Sequence, residues 1–120
     1  MPKFSNEIEA GAPIDRTELA EISGGDRLFE HQMLAIFRQA NDADVAALRR
    51  ALVKRDVATV TRCSHRVKGA GRMVGARALA DICEKIERAG HAGDWDTVAA
   101  QGAALDRELD RVYACLGTLP

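Results

Sequence analysis

From residue 15 onward, apolar side chains recur at intervals of three and four. No stretch shows the alternation of two expected of a strand. The pattern is broken by Gly- and Asp-containing stretches, and it divides the chain into helical segments. Asp15 can cap a first helix, with Glu18 three residues on in a capping-box-like arrangement. Gly24-Gly25 stops that helix early. Asp26 opens a second segment with an apolar stripe of Phe29, Met33, Ile36 and Phe37. The polar run NDAD at 41–44 leaves open one bent helix or two, and Val45, Leu48 and Leu52 resume the stripe. Asp56 caps a third helix whose inner face is Val57, Val60, Ser64, Val67, Gly71 and Val74, with Gly75 at its boundary. Leu79, Ile82, Cys83 and Ile86 line a fourth, expected to end at Gly90 with GHAGD as a turn. Asp94 caps the last, which carries Trp95, Val98, Gly102, Leu105, Leu109, Val112 and Leu116 and is expected to stop at Gly117. Four long helices joined by short loops predict an all-α fold: an antiparallel four-helix bundle with a short additional N-terminal helix. The 3-4 spacing suits packing at about 20°. Residues 1–13 read as an arm or linker, and 14–120 as the bundle domain.

Composition narrows what such a bundle can do. With 47% hydrophobic and 29% charged residues in 120, the chain can bury one core and is not disordered as a whole. A net charge of −1 argues against binding nucleic acid or membrane through an overall field, so any electrostatic role must be local. Three widely spaced cysteines, Cys63, Cys83 and Cys115, make no disulfide framework and suit a reducing compartment. No apolar run approaches the roughly 18 residues that span a bilayer, and the first residues lack the apolar stretch of a signal peptide. A cytoplasmic location is expected.

One local field does stand out. Between Asp56 and Asp81 there is no acid, whereas Arg62, Arg66, Lys68, Arg72 and Arg77 are basic. An exposed helix ordinarily mixes signs to gain i,i+4 pairs, so this one is expected to meet an anion. His65 falls off the inner stripe, on a solvent-facing strip with Arg62, Lys68, Gly69 and Arg72. A neutral imidazole keeps a free nitrogen lone pair and can act as a nucleophile. Lys68, one turn away, could stabilise charge on a phosphoryl group. Glycine in mid-helix costs about 1 kcal/mol relative to alanine; Gly69 would let a partner's loop approach the histidine.

The run His65-x-x-Lys68-Gly69, followed after five residues by Gly75-Ala76-x-x-Leu79 and after three more by Cys83-x-x-Ile86-Glu87, resembles the histidine-containing phosphotransfer (HPt) domains of bacterial phosphorelays. The likeness is close over residues 64–87 and extends through the short first helix and the Gly-Asp-Trp start of the last. It implies that His65 Nε2 accepts a phosphoryl group from the aspartate of a response-regulator receiver domain and passes it to another receiver, in some systems within a hybrid sensor kinase. It also implies that the domain itself holds no metal and no cofactor, the receiver supplying Mg²⁺. Lys68 would then contact the phosphoryl group and Gly69 would give clearance. The receiver would dock over the first helix and the exposed sides of the second and third, with Ile22, Leu28, Gln32, Arg62, Arg66 and Arg72 as candidate contacts. The alanine usual beside the histidine in that family is Ser64 here, tolerable if its hydroxyl bonds a carbonyl one turn back.

Plainer readings stand beside these. His31 and His91 read as structural, His91 in the Gly-rich turn. Cys63-x-His65 lacks the further ligands a metal site needs, and Cys83 and Cys115 suit small buried hydrophobes. The basic strip could contact nucleic acid, but no aromatic residues interleave it. An interaction module that keeps the HPt shape without accepting phosphate is the alternative function. A monomer is expected, because the inner stripes are used up within the bundle.

Overall fold

The computed structural model describes residues 12–118, so the first eleven residues of the expected arm and the last two of the chain lie outside the described residues. Five helices follow one another: α1 Arg16–Ser23, α2 Arg27–Lys54, α3 Val57–Met73, α4 Arg77–Ala92 and α5 Trp95–Thr118. No strand occurs among the described residues. Four of the five starts have an aspartate at the N-cap. Asp15, Asp26, Asp56 and Asp94 accept from the backbone N–H of Glu18, Phe29, Thr59 and Thr97 at 3.1–3.2 Å. Thr59 and Thr97 also donate their hydroxyls to the capping carboxylates. The expected capping box at α1 is only half formed. The Glu18 carboxylate turns away to accept from Arg77 on α4, and the Asp15 N–H donates to the Gly75 carbonyl at 2.8 Å. A long-range partner has displaced a local one, and the start of α1 is thereby fastened to the α3–α4 junction.

The NDAD run does not break α2. Its 28 residues at about 1.5 Å rise each give about 42 Å, matching the 43 Å long axis of the molecule. Asn41 is fully buried and donates from Nδ2 to the Tyr113 hydroxyl on α5 at 3.0 Å. With this polar residue inside, the buried stripe runs Phe37, Asn41, Val45, Leu48 and Ala51. The expected stripe is therefore wrong in phase at its N-terminal end: Phe29 and Ile36 are 45% and 68% exposed, and Met33 is only half-buried. The short α1 packs along that end, and the last turns of α5 approach it through Tyr113 and Leu116, beside Arg38 and Leu34.

Helices α3 and α4 form an antiparallel pair around Gly75, flanked by α2 and α5, and Arg49–Asp106 and Asn41–Tyr113 tie α2 to α5. Val60, Cys63, Val67, Val74, Leu79, Cys83, Ile86, Leu105, Leu109 and Val112 supply the core between them. Val57, expected inside, is 40% exposed at the first turn of α3. The fourth helix does not stop at Gly90. It continues to Ala92 and closes on Gly93 at φ +73°. Gly90 is an interior helical residue because Val60 lies against it; a Cβ there would sit 3.0 Å from Val60 Cγ1. Likewise Gly117 lies within α5 rather than ending it.

Candidate functional site

His65 lies midway along α3, and its register follows from the residues on either side. Ser64 and Val67 are fully buried, which turns His65 outward. The Ser64 hydroxyl donates to the Val60 carbonyl at 2.6 Å, so this polar side chain is satisfied within its own helix. The His65 side chain is 66% exposed. Because α3 and α4 run back from Gly75, residues at similar distances from the turn come together, and Glu87 arrives opposite His65.

Glu87 is the residue that the basic strip concealed. Its Oε2 lies 3.2 Å from His65 Nδ1, and its Oε1 accepts from Lys68 Nζ at 2.7 Å. A carboxylate can only accept, so in the neutral ring Nδ1 carries the hydrogen and Nε2 keeps the lone pair, facing solvent. Burial alone would raise the Glu87 carboxyl. The bond and charge of Lys68, with those of His65, outweigh it and hold the group below its ordinary range. Lys68 is consequently not an exposed cation of the strip. Its side chain is 12% exposed and laid across to α4, with the ammonium one turn from the imidazole.

The other expected site residues divide into two sets. Arg66 is drawn back to Asp44 on α2 at 3.3 Å, and Arg77 to Glu18. Arg62 and Arg72 are exposed and have no ion pair among the described residues. The absence of acids along α3 is thus partly made good by acids on α1, α2 and α4. Gly69 is exposed, and a Cβ built there meets nothing within 4 Å, so no packing within the chain requires a glycine at that position. Ile22 and Leu28 are exposed at 40% and 70%, and Gln32 is exposed one turn further along α2. Phe29 and Ile36 extend that apolar surface.

A shallow groove of about 800 Å³ runs between α3 and α4, lined by Arg62, His65 and Lys68 on one wall and Glu84, Glu87, Arg88 and His91 on the other. His91 therefore belongs to the last turn of α4 and to the wall of this groove, not to a turn. Among the described residues no three His, Cys, Asp or Glu side chains converge as metal ligands. Cys63 and Cys83 are buried, and burial pushes the Cys83 thiol up to about 12, which makes it an inert filler of the core. No helix among the described residues is long and apolar enough to cross a membrane.

Comparison with known proteins bears on the fold and the family. The fold matches the crystal structure of histidine-containing phosphotransfer protein B (HptB) from Pseudomonas aeruginosa PAO1 with a TM-score of 0.80. The match covers 88% of this chain and 91% of that one at 22% sequence identity. No curated protein sequence matches the chain. The family model of the Hpt domain matches residues 32–115, a span that contains α3, α4 and the His65–Lys68–Glu87 cluster. On that match, the chain belongs to the Hpt domain family of phosphotransfer-relay proteins.

Proposed function

We propose that this protein is the histidine carrier of a phosphorelay, taking a phosphoryl group from a receiver-domain aspartate onto His65 Nε2 and delivering it to another receiver aspartate. The observation that carries this reading is the exposed imidazole whose Nδ1 is engaged by Glu87, which leaves Nε2 as the only nucleophilic atom of the ring. In the forward step the Nε2 lone pair attacks phosphorus, and the P–O bond to the donor aspartate breaks with its electrons returning to that carboxylate. Lys68 places a cation one turn from the nucleophile, where charge develops on the phosphoryl oxygens. Mg²⁺ in this scheme belongs to the receiver. The chain supplies the nucleophile, a cation and a surface, and its partners are receiver domains, including those of hybrid sensor kinases, in the cytoplasm.

The receiver docks on the exposed apolar residues of α1 and α2, Ile22 and Leu28 with Gln32 beside them, and its acidic site meets Arg62 and Arg72. Arg66 contributes after release from Asp44. Gly69 leaves room over the histidine. Gly69→Gln separates these roles. It adds helix propensity worth up to about 1 kcal/mol, and transfer from a receiver falls about a hundredfold as the approach is obstructed. Labelling by a small phosphoramidate donor stays within a few-fold. Equal loss with both donors, or no loss with either, would remove the clearance role.

The test of the function itself is incubation of the purified protein with a receiver carrying radiolabelled aspartyl phosphate. An acid-labile, base-stable label on this chain is the expected result. A folded protein that takes no label from several receivers would be an interaction module with the family's shape.

A further inference from the structure

We propose that Glu87 is a positioning residue that keeps the proton on His65 Nδ1 after the phosphoryl group has arrived on Nε2, and so keeps the phosphoryl group transferable. This rests on the carrier reading above and concerns its second half, the discharge to the acceptor.

The chemistry sets the requirement. When Nε2 attacks with Nδ1–H in place, the product ring bears a formal positive charge. In the discharge step the acceptor's carboxylate oxygen bonds to phosphorus, the N–P bond breaks and its electron pair returns to Nε2. If Nδ1 still carries its proton, the ring departs as neutral imidazole. If the proton has been lost, the ring must depart as an imidazolate anion, a far poorer leaving group.

The groove makes retention of that proton a real problem. On α3 the ring faces Arg62, Arg66 and Lys68, and on α4 Arg88 and His91. The ammonium of Lys68 and the guanidinium groups of Arg62, Arg66 and Arg88 oppose a positive ring. Of the two acids in the groove, Glu84 is turned to Arg88 at 3.5 Å. Asp44, reaching in from α2, is occupied by Arg66. Glu87 is the acid at hydrogen-bond distance from the ring among the described residues, 3.2 Å from Nδ1. It is well placed to hold a charge: 27% exposed, and ionised below the ordinary carboxylate range because Lys68 and His65 outweigh its burial. Lys68 serves both partners, fixing the carboxylate in register before transfer and lying near the phosphoryl oxygens after it.

Glu87→Gln removes the charge and leaves one accepting oxygen, enough for Nδ1–H or for Lys68 but not for both, so the readout is the pH profile of discharge rather than its rate at one pH. Both proteins are labelled with phosphoramidate, and discharge to a receiver is followed between about pH 6 and pH 8, the ordinary range of imidazole titration. Wild-type discharge should fall by no more than about twofold. Discharge from the variant should fall about tenfold across that range as the ring proton is lost, the effect of about one unit in the ring's titration midpoint. Superimposable pH profiles overturn the proposal. A second measurement needs no variant: ring nitrogen shifts of the phosphorylated wild type are titrated by NMR beside free phosphohistidine. A higher midpoint in the protein supports the proposal, and a midpoint equal to that of the free compound overturns it. Failure of the wild type to take the phosphoryl group at all would instead overturn the carrier reading on which this one stands.

Discussion

His65→Gln should lose phosphoryl acceptance below detection, more than about a hundredfold, while its thermal unfolding midpoint stays within a few degrees of wild type. Glutamine has a planar amide whose nitrogen lone pair is delocalised, so the variant has no nucleophile at this position. The fold has little reason to respond. The His65 side chain is 66% exposed, and its polar contact among the described residues is with a carboxylate at 3.2 Å. Surface pairs of this kind contribute about 0–1 kcal/mol, and glutamine is the better helix former by a few tenths. The Gln amide can also donate to Glu87, which keeps the Lys68–Glu87 pair in place. Labelling of wild type and variant from a radiolabelled receiver, alongside circular dichroism melts, checks both halves. A variant that still takes label would shift the acceptor elsewhere, and His91 on the opposite wall of the groove would be the next residue to remove. A variant that takes no label but melts far below wild type would show that the imidazole is part of the packing, against its exposure.

What could be read from the sequence alone was governed by how far apart the interacting residues lie. The aspartate caps at 15, 26, 56 and 94 act on N–H groups three residues away, so their signal is local, and all four are present. The register of α3 is equally local. Once Val60, Ser64, Val67 and Gly71 define an inner face, His65 must point out, and it does. Errors arise where the deciding contact comes from another helix. The phase of α2 depends on Asn41, a residue that reads as a breaker until Tyr113, on a different helix, supplies a hydrogen bond that lets it go inside. Gly90 reads as a stop signal, but Val60 needs the space over its Cα. The run of α3 without acids is real in sequence and misleading in space, because Asp44 and Glu87 meet Arg66 and Lys68 across helix boundaries. Glu87 itself could have been placed in advance. Two helices turning back at Gly75 bring residues at similar distances from the turn face to face, and Glu87 is the acid opposite a histidine on such a pair.

The largest effect on stability should come from Gly75→Ala, a change of one methyl group. Gly75 sits at φ +77°, in the left-handed region where a side chain costs about 1–2 kcal/mol. The space is also closed: a Cβ there would lie 2.8 Å from the Asp15 carbonyl oxygen, which is backbone and cannot swing aside. Relief requires moving the start of α1 away, which stretches the Asp15 N–H to Gly75 carbonyl bond of 2.8 Å and loosens the Glu18–Arg77 pair beside it. Ile14 and Leu19, at 0% and 2% exposure, are carried on that same segment and would lose part of their burial. Strain, overpacking and a weakened hydrogen bond together come to about 3–5 kcal/mol, a large part of the roughly 5–15 kcal/mol that holds a domain of this size together. The melting midpoint should drop by about 10–20 °C. The same substitution six residues earlier should act in the opposite sense. Gly69 is helical with no atom within 4 Å of its would-be Cβ, so Gly69→Ala should gain up to about 1 kcal/mol. Melts of the two variants beside wild type decide the matter. A Gly75→Ala protein as stable as wild type would mean that α1 is not clamped to the α3–α4 junction. In that case the short helix under the apolar surface of Ile22 and Leu28 would be free to move against the bundle.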